Sequence, residues 1–100
     1  LAVRGVGVDL KLAADRKDTI RSNAIEAIGY LGTDVAIARL KEALTSDKNA
    51  RVRGSAATGI QNSGRRDLIP VLEKALAVET AFQAKDRIQQ AIVYLEKSGS

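Results

Sequence analysis

One hundred residues, 45% apolar and 28% charged with a formal charge of +4, suit one small folded domain around one core. The chain holds no Cys and no His, which excludes disulfides, thiol nucleophiles, Cys/His metal sites and imidazole catalysis. No apolar run approaches the roughly 18 residues of a membrane span, and a first residue of Leu rather than Met reads as a piece of a longer chain.

Taken in chain order, residues 1–12 admit two readings. Val6, Val8, Leu10 and Leu12 alternate as a strand would. A repeat of 32 residues decides for a helix, because Val8 and Leu12 fall on Leu40 and Leu44 when the chain is slid along itself. The same shift sets Asp15 on Asp47, Arg21 on Arg53, Ala24 on Ala56, Ile28 on Ile60 and Gly32 on Gly64. It also sets Leu40 on Leu72 and Leu44 on Leu76.

Each unit reads as two short helices. Thr19 to about Leu31 carries Ile20, Ala24, Ile28 and Leu31 on one face, and Gly32 closes it in a left-handed cap. Asp34 to Leu44 carries Ile37, Leu40 and Leu44, with Thr33 or Asp34 offering an oxygen to the first-turn amides. Arg51 to Ser63 repeats the Thr19 helix with Val52, Ala56 and Ile60, closed by Gly64. Asp67 to Leu76 repeats the Asp34 helix, with Pro70 in the first turn where a missing amide costs little. In the last stretch Phe82, Lys85, Ile88, Ile92 and Leu95 trace a stripe, and both a 32- and a 35-residue shift fit it. The expected core is Ile28, Leu40, Leu44, Ile60, Leu72 and Leu76. One domain over residues 1–97 follows, in units of about 1–32, 33–64 and 65–97, with 98–100 a frayed tail.

The unit from Ser46 to Leu76 resembles a short HEAT-like repeat of the phycobilisome lyase kind. The resemblance rests on Asp47, Val52, Arg53, Ala56, Ile60 and Gly64, and on Asp15, Ile20, Arg21, Ala24, Ile28 and Gly32 one unit earlier. It implies an all-α, armadillo-type α-solenoid of roughly three stacked helical hairpins. It also implies structural roles for Asp15, Arg21, Asp47, Arg53, Gly32 and Gly64, each Arg reaching the Asp of an inner turn. Stacked units of this kind line their concave face with second helices, and that face is where a solenoid binds.

On those helices Ser22, Glu26, Tyr30, Gly54, Thr58, Gln61 and Asn62 lie opposite the apolar stripe. Glu26, Tyr30, Thr58 and Asn62, with Arg65 and Arg66 at the rim, are the expected partner-binding residues. Tyr and Arg contribute most to interface energy, which makes Tyr30 and Arg66 the expected anchors. The positive excess falls in residues 51–100, where Arg51, Arg53, Arg65, Arg66, Lys85 and Arg87 stand among Asp67, Glu73, Glu79 and Asp86. With no Trp and one Phe to stack bases, that run reads as a solvated face.

No arrangement of nucleophile, base or metal ligands emerges, so no catalytic residue, metal site or cofactor is expected. The leading expectation is a non-enzymatic scaffold that binds a protein partner, with nucleic acid disfavoured, no membrane span and the cytoplasm favoured. Two alternatives stand beside it: an enzyme-associated subunit similar to phycobilin lyases, and a nucleic-acid-binding HEAT-like domain.

Overall fold

The computed structural model describes residues 12, 13 and 16–98. Among them run five α-helices: α1 Asp18–Ile28, α2 Asp34–Ser46, α3 Ala50–Ser63, α4 Ile69–Val78 and α5 Phe82–Ser98. Short 3-10 turns, Gly29–Leu31 and Arg66–Leu68, precede α2 and α4. This is the all-α solenoid that the repeat implies. Val8 lies outside the described residues; Leu12 is helical but 37% exposed, unlike its counterpart Leu44.

Local chemistry explains the helix ends. Thr33 Oγ1 accepts from the Ala36 amide at 3.2 Å, and Asn49 Oδ1 accepts from the Arg51 and Val52 amides at 2.8 and 3.3 Å. Pro70 occupies the first turn of α4. Gly32 and Gly64 end the two units at φ 64° and 68°, a region that costs a side-chain-bearing residue roughly 1–2 kcal/mol.

The helices form two layers. The second helices α1, α3 and α5 run side by side and parallel, and α2 and α4 cover them. Small residues permit the close approach between neighbours. A Cβ on Gly29 would fall on the Gly59 carbonyl, and one on Gly59 would lie 2.6 Å from Leu40 Cδ2 and 2.8 Å from the Ile25 carbonyl. Beside this crossing the Ser22 and Ser55 hydroxyls meet at 2.5 Å, both residues 2% exposed. Ser22 is therefore packed between helices and does not belong to an open strip.

Ile28, Leu40, Leu44, Ile60 and Leu72 form the core between the layers. Each such side chain contributes about 1.5–3 kcal/mol by leaving water. Ile25, outside the expected stripe, is also fully buried, because α1 packs against α3 as well as α2. Two expected positions differ. Leu76 is only partly buried, sharing an open flank with Ile92 and Val93. Phe82 is 84% exposed, since Ala84, Ile88, Ala91 and Leu95 form the buried stripe of α5. At about 100° per residue, Phe82 lies some 200° away from Ala84. The last helix continues through Ser98, into the segment read as a tail, while Gly99 and Ser100 lie outside the described residues.

Candidate nucleic-acid interface

The second helices share one edge, where the turns that precede them bring their N-termini together. The sequence places an acid in each turn, and each described acid is committed internally. Arg21 Nε and Nη2 donate to Asp47 Oδ2 and Oδ1 at 2.7 and 2.9 Å. Arg21 Nη2 also reaches Asp18 Oδ1 at 2.6 Å, and Nη1 donates to the Arg16 carbonyl. One unit later, Arg53 Nε and Nη2 donate to Glu79 Oε1 and Oε2 at 2.8 and 3.0 Å, and Nη1 to the Asp47 carbonyl at 2.8 Å.

Each arginine thus grips the acid 26 residues ahead, in the next unit. The Arg53 side chain reaches Glu79 because α3 faces forward to the following turn, and Asp47 offers it only a carbonyl. Asp15, the other acid expected to pair, lies outside the described residues. Glu79 holding the place of Asp47 also fixes the 32-residue register for the last unit.

These contacts set the charge states. The Arg53 hydrogen bonds hold the Glu79 carboxyl below its ordinary range against the opposing effect of burial. Burial opposes the Asp47 charge, but hydrogen bonds from Arg21 and the Asn49 amide outweigh it and lower its pKa. Bonding to Asp47 in turn raises the Arg21 pKa. With Asp18, Asp47 and Glu79 so occupied, the exposed cations along this edge are Arg16, Lys17, Lys48 and Arg51. The edge is cationic.

Around from that edge, Arg87 of α5 lies across α3. Its Nη1 donates to Thr58 Oγ1 and stands 3.6 Å from Glu26 Oε2 on α1. Gly54 leaves room for this crossing, for a Cβ there would meet Arg87 Cγ at 3.3 Å and press the side chain aside by a few tenths of an ångström. Arg51, Gln83 and Arg87 line a cleft of about 270 Å³ floored by Ala50 and Gly54. Of the expected binding residues, then, Glu26 and Thr58 come together through Arg87.

The others lie toward the opposite end of the second helices. Asn62 Nδ2 donates to the Glu26 carbonyl at 3.2 Å. Tyr30 is 76% exposed just beyond α1, at the repeat position that Asn62 occupies one unit later. Arg65 is bonded to both oxygens of Asp67, at 3.2 and 2.8 Å. Arg66 Nε donates to the Leu95 carbonyl at 3.1 Å. Sequence reasoning named Arg51 and Arg87 among the cations but set them aside. Gly54, four residues before Thr58, was the available sign that a long side chain crosses α3.

This two-layer stack of repeated hairpins defines an α-solenoid, and the profile of the HEAT repeats family matches residues 10–93. The chain belongs to that family. It is 35% identical over 83 residues to the epoxyqueuosine reductase of Bacillus subtilis (strain 168), a stretch that covers 83% of this chain and 22% of that enzyme. A solved structure of epoxyqueuosine reductase with a tRNA-Tyr epoxyqueuosine-modified tRNA stem loop is similar at TM-score 0.71 and 34% identity. That match covers 77% of this chain and 20% of the solved one. The chain therefore spans about a fifth of the length of either relative.

Three expectations are corrected here. The relatives are enzymes, which overturns the expectations of a non-enzymatic protein-binding scaffold and of a chain that belongs to no enzyme class itself. One of them is complexed with a tRNA stem loop, which overturns the disfavouring of nucleic acid. The family match is to HEAT repeats, and the finer likeness to the phycobilisome lyase kind is not part of it. Among the described residues no helix is long and apolar enough to cross a membrane.

Proposed function

We propose that this chain is a tRNA-binding HEAT-repeat segment of an enzyme similar to epoxyqueuosine reductase. The observation that carries the reading is the likeness, over most of this chain, to a solved reductase complexed with a tRNA stem loop. The cationic edge supports it: four cations, Arg16, Lys17, Lys48 and Arg51, face solvent, while Arg21 and Arg53 hold the acids beside them and leave one acidic charge uncompensated. Such a surface attracts phosphates and releases their counterions. The segment's role in this reading is to hold and orient the RNA, and the same reading carries a cytoplasmic location.

Fluorescence anisotropy of a labelled tRNA stem loop, titrated with the chain at several salt concentrations, tests the proposal. Binding should weaken as salt rises, with a log–log slope of about −0.7 to −0.9 for each phosphate neutralised. A folded chain that leaves the anisotropy unchanged at low salt overturns it.

A further inference from the structure

The cleft between α3 and α5 has a more specific geometry than a general cationic surface. Two guanidinium groups share it, and both have donors to spare. The Arg51 side chain is exposed and makes no hydrogen bond or ion pair among the described residues; only its backbone amide is engaged, by Asn49. Arg87 makes both of its contacts through Nη1, one with Thr58 and one with Glu26. Its Nε and Nη2 donors make no hydrogen bond among the described residues, and they form the edge of the guanidinium that suits two oxygens of one anion.

The cleft also has the shape for it. Gly54 lets Arg87 lie close against α3, where a Cβ would meet Arg87 Cγ at 3.3 Å. Gln83 adds an amide donor at the far wall. The carboxylate that shares this neighbourhood, Glu26, stands 3.6 Å from Nη1 and so serves the engaged side of Arg87. Thr58 and Glu26 fix the guanidinium before any ligand arrives, which reduces the rotamer freedom lost on binding.

We infer that this cleft is a subsite for a backbone phosphodiester of the bound RNA, gripped by Arg51 and by the Nε–Nη2 edge of Arg87. Glu26 and Thr58 are positioning residues for Arg87. The inference rests on the proposed RNA-binding function and adds where one phosphate sits.

Four variants of the whole chain, R51Q, R87Q, R87K and K74Q, are titrated against the labelled tRNA stem loop across a salt series, with melting temperatures measured alongside. R51Q and R87Q should each bind about tenfold more weakly near 0.1 M salt and flatten the log–log slope by about 0.7–0.9. R87K keeps the charge without the fork, so it should retain most of the slope yet still lose affinity. K74Q, on the exposed side of α4, should match the wild type. Inorganic phosphate should displace RNA from the wild type better than chloride of equal ionic strength, and this advantage should vanish in R51Q.

Wild-type binding with R51Q unchanged in affinity and slope overturns the subsite while leaving RNA binding intact. Equal displacement by phosphate and chloride from the wild type also overturns it, marking a merely diffuse positive surface. A wild-type chain that ignores the stem loop overturns the parent reading and this one with it. R51Q alters an exposed side chain, so its affinity and slope remain measurable even if R87Q unfolds.

Discussion

Arg21 on α1 and Asp47 in the turn after α2 close a two-pronged ion pair across the boundary between successive units, and each side chain is 8% exposed. Arg53 and Glu79 repeat it one unit on. Removing one partner from such a pair leaves a buried charge without compensation. Arg21→Ala should therefore lower stability by about 3–5 kcal/mol in urea titrations. Arg65→Ala, which removes the exposed pair with Asp67, should leave the same measurement nearly unchanged, because water screens that pair.

The same pairs make the fold acid-sensitive. Asp47 and Glu79 both have folded pKa values below their ordinary ones, so the unfolded chain binds protons more readily. Their stabilisation is complete above the unfolded carboxylate range of about pH 4 and is lost as pH falls through the folded values. Urea midpoints should hold steady near neutral pH and drop steeply below about pH 4. In Glu79→Gln the neutral-pH midpoint should already be lower and the acid drop shallower.

At the crossing of α1 and α3, Gly29→Ala should be among the most damaging single changes, because the new methyl falls on the Gly59 carbonyl rather than on a side chain that could turn aside. A loss of more than about 2 kcal/mol is expected, as for severe overpacking. Gly64→Ala meets nothing within 4 Å but keeps φ at 68°, so its cost should stay near 1 kcal/mol. Thermal melts of the two variants separate steric from conformational cost.

Burial separates the two leucines of α4. Leu72→Ala, at a fully buried site, should cost about 2–5 kcal/mol, and partly buried Leu76→Ala clearly less. Phe82→Ala, despite the large apolar ring, should shift stability by no more than about 0.5 kcal/mol. Equal losses for all three in chemical denaturation would contradict this packing of the last hairpin.

Much of the fold could be read from the sequence because the 32-residue recurrence reports which positions each unit buries. It placed the helices, the Gly32 and Gly64 caps and the core from Ile28 to Leu72. It misjudged Leu76, since a repeat pattern describes a unit flanked by neighbours and the flank of the last hairpin is open. Phe82 was misplaced by the stripe drawn through it, because the buried stripe of α5 starts at Ala84. Glu79 escaped notice as the counterpart of Asp47 because the residue type changes while the geometry persists. The cleft was least legible. It depends on Arg87 crossing from α5 over Gly54 of α3 toward Glu26 of α1, a meeting of three units that no single helical period encodes.

The forward reach of each arginine gives the stack a direction, and it makes the unit interchangeable. What Arg21 requires is a carboxylate 26 positions further along, whichever unit supplies it. Glu79 follows Asp47 by 32 residues, the length of one repeat. Excising residues 33–64 would thus deliver Glu79 to Arg21 in the position Asp47 now fills, whereas losing two or three residues from the turn between α1 and α2 would put Asp47 out of step with Arg21. Such a chain can lengthen or shorten by whole units with its joints intact, which makes gain and loss of repeats a gentler route of change than small insertions.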